Sequence, residues 1–118
     1  MQINIIIPWP NSKLAPNRAN GQHWSSTSKA RAEAKLEAWT IAKQATKGYV
    51  TPAGQIALQI VFVQPDKRRR DVDGLLSSIK PALDGIAQAI NIDDHYFNSI
   101  LITREFGAKP GCVKITIG

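Results

Sequence analysis

The sequence predicts an α+β fold, with a mixed sheet and two main helices in the order β-α-β-α-β-β. Three observations predict it. Short β-branched runs stand near both ends and in the middle of the chain; two longer segments carry apolar residues at three- and four-residue steps; and Pro- and Gly-rich stretches separate them. No repeat, linker or low-complexity segment divides the 118 residues, so residues 1–118 are read as one domain.

Taken in order, "INIII" at 3–7 is a strand that Pro8 ends. "PWPNSKLAPNRANGQHW" is a long loop, of the kind that tends to be functional. Thr27 or Ser28 caps the next segment, where Ala30, Ala34, Ala38, Ile41 and Ala45 form one face of a helix from 28 to 46. Arg31, Lys35 and Lys43 fall outside that face, and Gly48 ends the helix. "QIALQIVFV" at 55–63 alternates and then runs apolar, as a strand entering a sheet interior does. Leu76, Ile79, Leu83, Ile86 and Ile90 then mark a helix over 74–90 with Asp73 as N-cap. Pro81 deprives the Ser77 carbonyl of its partner, so a kink is expected there. A strand near 96–105, a hairpin connection at "FGAKPG" and a last strand at "CVKITI" complete the order.

Apolar residues make up 43%, enough for a packed core, and no apolar run approaches a membrane span. The start lacks the pattern of a signal peptide. Cys112 is the single cysteine, which points to a reducing, cytoplasmic setting. The net charge of +6 favours a polyanion partner. A core this small would gain from a dimer interface.

The carboxylates decide more than the total charge. Of nine Asp and Glu, five (Asp71, Asp73, Asp84, Asp93 and Asp94) fall between 71 and 94, beside the run Lys67, Arg68, Arg69, Arg70. On an extended segment Asp71 and Asp73 would point to one side. Three carboxylates without His or Cys would suit a hard cation, Mg²⁺ or Mn²⁺, rather than zinc. An EF-hand is excluded, because positions 75 and 76 are both leucine where that loop needs Asp or Asn and then Gly. Asp71 and Asp73 as a helix cap and an ion pair with Arg68 or Arg70 remain the plain alternative, and a basic run is often a solvated turn. His23 and His95 lack partners at ligand spacing. Among the tryptophans, Trp9 in "PWP" is the candidate stacking platform.

Together "IPWPNSKLAPNRANGQHW", "PDKRRRDVDGLL" and "LDGIAQAINIDDHYF" resemble the RusA family of Holliday-junction resolvases, over almost the whole chain. The resemblance implies a homodimeric, Mg²⁺-dependent endonuclease of four-way DNA junctions. It implies Asp71, Asp73 and, from the Asp-Asp pair, Asp94 as metal-binding catalytic carboxylates; the chemistry alone does not choose between Asp93 and Asp94. Where the family carries Asn after the second Asp this chain has Gly74, and where it carries a lysine four residues after that Asp it has Ser77. On an unbroken helix Lys80 would lie on nearly the same face as Asp73, about 10 Å further along, and so is the candidate for the lysine's role. Lys67 to Arg70, with Lys13 and Arg18 from the loop, would track the DNA backbone. The other reading is a non-catalytic basic module that binds branched or single-stranded nucleic acid.

Overall fold

The computed structural model describes residues 3–14, 24–46, 56–92 and 97–118. Strand β1 (Ile3–Pro8) leads through a 3₁₀ turn at Ser12–Leu14 to helix α1 (Trp24–Ala45). Strand β2 (Ile56–Gln64) follows, then helices α2 (Val72–Ser78) and α3 (Lys80–Ala89), then strands β3 (Phe97–Phe106) and β4 (Cys112–Ile117). The α+β class and the element order are as the sequence predicts.

Alternation builds the sheet. Ile3, Ile5 and Ile7 of β1, Leu58, Ile60 and Phe62 of β2, and Val113, Ile115 and Ile117 of β4 are buried, while their neighbours along β1 and most of those along the other two face outward. The buried face joins Ala38 and Ala42 of α1, Leu75 of α2 and Ala82, Leu83 and Ile86 of α3 in one core. A period of two on the strands and a helical period above them therefore bury complementary surfaces.

The sheet order is β1-β4-β2-β3. β2 pairs with β3 in parallel and with β4 antiparallel, and β4 also pairs antiparallel with β1. The expected hairpin at "FGAKPG" is therefore not formed: β3 and β4 lie on opposite sides of β2, and residues 107–111 cross its end. Gly107 donates its N–H to the Gln64 carbonyl at 2.8 Å. Gly111 has φ +77°, and a Cβ there would stand 2.9 Å from both the Val63 carbonyl oxygen and Pro65 Cδ. A hairpin signal in a sequence reports a tight reversal, and here the reversal passes over a strand instead of pairing its arms.

The helices differ from expectation at their ends. α1 begins at Trp24, so Thr27 is inside the helix rather than its cap, buried, with its hydroxyl lacking a hydrogen-bond partner among the described residues. Its methyl group extends the buried stripe Ala30, Ala38, Ala42; Ala45 is exposed. Gly48 lies outside the described residues. The second helical segment is interrupted at Ile79 (φ −104°, ψ 5°), a break rather than a kink. Pro81 explains it: having no N–H, it cannot bond the Ser77 carbonyl as a continuing helix would, so that carbonyl takes a backbone N–H of the C-cap instead and a new helix starts at Lys80 with Pro81 in its first turn. The Leu83 N–H still reaches the Ile79 carbonyl at 2.9 Å, which keeps the stripe Ile79, Leu83, Ile86, Ile90 in phase and buried.

α3 approaches α1 closely at Gly85. A Cβ there would lie 2.2 Å from the Lys35 carbonyl oxygen, a backbone atom with little freedom to move. Gly85→Ala should therefore destabilise by about 1–3 kcal/mol despite alanine's better helix propensity. Thermal melting checks this; an unchanged or raised midpoint would refute the close packing.

Candidate functional site

The end of β2 organises the site. Gln64 is buried, and its Nε2 donates to the Arg68 carbonyl at 3.3 Å. Pro65 ends the strand, and Asp66 Oδ1 accepts the Arg68 N–H at 2.9 Å, a turn in which the side chain stands in for a backbone acceptor. Arg70 reaches back from the other end of the turn. Its Nη1 lies 2.8 Å from Asp66 Oδ1 and its Nη2 3.4 Å from Oδ2, a two-pronged ion pair. Its guanidinium also stacks on Trp9 at 5.2 Å from the ring centroid. Trp9 in turn meets Phe62 edge-to-face, centroids 6.2 Å apart, and borders a cavity of about 330 Å³ with Leu14, Glu33, Glu37 and Ser78. From β3, Arg104 donates to the Arg70 carbonyl.

These contacts sort the basic run. Arg70 is half-buried and committed to Asp66 and Trp9, whereas Lys67, Arg68 and Arg69 are exposed. The ion pair expected of Arg70 with Asp71 or Asp73 is not formed; its partner is Asp66. Trp9 carries a cation on one face and an edge contact to the core, so it anchors the turn. Lys13 is exposed on the 3₁₀ turn, its N–H held by Asn11 Oδ1 at 2.9 Å. Arg18 and His23 lie outside the described residues.

Asp71 and Asp73 are both exposed where the chain passes from extended to helical. Asp71, not Asp73, holds the cap position (φ −88°, ψ 147°); its side chain makes no capping bond, and its carbonyl accepts the Leu75 N–H at 3.0 Å. Asp73 is in the first turn, where its carboxylate suits the helix dipole and its Oδ1 accepts the Gly74 N–H at 3.0 Å. The extended stretch stops at Asp71, so the first helical turn rather than the pleat sets how the two carboxylates stand. Asp93, Asp94 and His95 lie outside the described residues; among the described residues no three His, Cys, Asp or Glu side chains gather as a metal site. Carboxylate oxygens as such suit Mg²⁺ or Mn²⁺ better than a soft metal. Lys80 is exposed at the start of α3. The break at Ile79 stands between it and Asp73, so its projection along one continuous helix does not apply. Asp84 is exposed on α3.

Asp66, Arg104 and Gln64 were not among the residues the sequence singled out, and Arg70 was singled out for DNA rather than for Asp66 and Trp9. Pro65-Asp66 followed by an N–H two residues on was the legible signal, since Asp after Pro in a turn often accepts in this way. The contacts of Arg70 with Trp9 and of Arg104 with the turn join residues far apart in sequence.

Fold and site define a small α+β domain that displays an acidic strand-to-helix turn beside three exposed cations. No family model matches the chain. An uncharacterized protein of Xylella fastidiosa (strain Temecula1) is 36% identical over 116 residues, covering 97% of this chain and 74% of that protein, and the chain belongs to the same family as that protein. Among the described residues no helix is long and apolar enough to cross a membrane.

The Arg70 contact, helped by the Arg68 N–H, holds the Asp66 carboxyl down at about 2, from an ordinary value of 3.8. A carboxylate lowered on folding stabilises above its unfolded pKa and loses that contribution as pH falls through the folded one. The stability difference between wild type and Asp66→Asn should thus be full above pH 4 and shrink towards pH 2. Paired denaturant titrations across that range check it; a difference independent of pH would refute the Arg70–Asp66 clasp.

Proposed function

We propose that the protein is a Mg²⁺-dependent endonuclease that resolves four-way DNA junctions by paired symmetric nicks, acting as a homodimer. The observation that carries the reading is the turn itself. Asp71 and Asp73 are exposed at the start of a helix, unpaired with the cations next to them, while the side chains of Lys67, Arg68 and Arg69 are exposed outside the Asp66–Arg70 ion pair on the same turn. The sequence resemblance described above supports the same activity.

Asp71 and Asp73, with Asp94 from the segment that follows α3 in sequence, would hold the metal. A bound hard divalent cation supplies an acidified water and neutralises charge at the leaving 3′ oxygen, giving 5′-phosphate ends. Lys67, Arg68 and Arg69 bind the phosphate backbone on either side of the cut. Arg70 does not bind DNA in this scheme; it fixes the turn that aims the three. Lys80 carries positive charge to the scissile phosphate from the first turn of α3. A twofold dimer supplies the second site for the opposing strand.

Asp73→Asn should abolish Mg²⁺-dependent junction cleavage while junction affinity without metal holds or tightens, because a negative charge facing DNA is removed. Cleavage rate, affinity and melting temperature on one sample check this, and a folded Asp73→Asn protein that cuts at the wild-type rate excludes the nuclease. By contrast, Arg68→Ala with Arg69→Ala should weaken binding to every DNA and reduce the salt slope by about one unit per lost contact. An unaltered slope would remove the two arginines from the interface. Lys80→Ala should slow cleavage by roughly 10²-fold with affinity nearly intact; an equal rate would remove Lys80 from the chemistry.

A further inference from the structure

The sheet has two edges, and they are built differently. β1 is six residues long and ends in Pro8, which has no N–H to offer. β3 is ten residues long, contains neither Pro nor Gly, and among the described residues pairs with β2 alone. Apolar side chains stay exposed on both of its faces: Ile100 is 43% exposed, on the helix-covered side next to Leu58, and Leu101 is 60% exposed, on the opposite side next to Gln59. Proteins normally blunt such an edge with proline, a central lysine or a short length. Here the charges, Arg104 and Glu105, are confined to one end of the strand.

The occupant that fits this edge is a second copy of the same strand. A twofold axis perpendicular to a sheet pairs two identical edge strands antiparallel, residue opposite residue, with the same faces on the same side. The centre of β3 reads Ser99-Ile100-Leu101-Ile102-Thr103, which is close to the same in both directions. With the axis at Leu101, Leu101 meets its copy, Ile100 meets Ile102, and Ser99 meets Thr103. Further out Arg104 faces Asn98 and Glu105 faces Phe97, so no like charges oppose each other. Centring on Arg104 or Glu105 would set like charges directly opposite, which disfavours those registers.

We infer that the protein dimerises by antiparallel pairing of β3 with β3 of a second copy about Leu101, merging the two sheets into one with both helical layers on the same face. This deepens the paired-site reading above, since it names the surface that joins the two sites. It also places Arg104, which holds the Arg70 carbonyl, within three residues of the axis, so the cationic turn of each copy would be tied to the interface through one hydrogen bond.

The test combines mass with cross-linking on the full chain. Sedimentation at micromolar concentration should give twice the chain mass for wild type and one chain mass for Leu101→Lys, which buries like charges face to face. In a Cys112→Ser background, Leu101→Cys should close into a disulfide-linked dimer under mild oxidation, because opposed residues of an antiparallel pair fall within bridging distance. Ile6→Cys, exposed on β1, should cross-link far more slowly. A wild-type monomer, a Leu101→Lys protein that keeps the doubled mass, or equal cross-linking at both positions overturns the inference; the cross-link decides alone should Leu101→Lys fail to fold. Absence of junction cleavage from a dimer with the expected cross-link would overturn the nuclease reading and leave this interface standing.

Discussion

The end of β2 is the constraint on which the rest depends. Because β2 is paired on both sides, by β3 in parallel and β4 antiparallel, the chain cannot simply reverse there. One segment must leave it towards the helices and another must cross over it to reach β4. Gln64 serves both, its carbonyl receiving the Gly107 N–H of the crossing segment and its side chain holding the Arg68 carbonyl of the departing one. A buried amide that lost either partner would leave a polar group without water, at a cost of about 1–3 kcal/mol. The turn bearing the charges is thereby fastened to an interior strand of the sheet.

That fastening explains why a run of four cations can be partly rigid. Lysines and arginines on a free turn lose side-chain entropy when they bind anything, which weakens what they bind. Here the backbone is held by Asp66, by Gln64 and by Arg104, and Arg70 is spent on the Trp9 ring and the Asp66 carboxylate. The other three then project from a turn whose ordering is already complete. The same arrangement accounts for the acidic pair. Arg70 pairs with Asp66 rather than with Asp71 or Asp73, the two carboxylates at the start of α2.

Much of this was legible in the sequence, for identifiable reasons. β1, β2 and β4 alternate cleanly because one face of each is buried, and the α3 stripe keeps its phase through Pro81 because burial of Ile79, Leu83, Ile86 and Ile90 outweighs a single lost hydrogen bond. Strand order was not legible, since "FGAKPG" reports only that the chain turns and not which strand it next pairs with. The helix starts were missed for a related reason. Thr27 and Asp73 have good capping chemistry, but Thr27 is itself part of the buried stripe on α1, and the departure from β2 sets the start of α2 at Asp71. Of the site, Asp71, Asp73 and the cations were legible as a cluster. Which cation would be internal was not, because Trp9 and Arg70 are 61 residues apart in sequence and meet only through the β1–β4–β2 order.

The break at Ile79 bears on how such a site can work. An unbroken helix from Val72 would hold Asp73 and everything beyond it as one rod, so a shift at the acidic turn would travel into the α1–α3 contact at Gly85. That contact has no slack, with the Lys35 carbonyl oxygen occupying the place of a side chain. A one-residue interruption separates the two demands. α3 stays locked against α1 and the sheet through buried Ala82, Leu83 and Ile86, while α2 has only Leu75 and Ser78 buried and keeps its first turn exposed. The first turn of α2 is thus held by fewer buried side chains than α3, with the break at buried Ile79 between the two. Pro81, which a helix interior would normally exclude, is the residue that makes the separation.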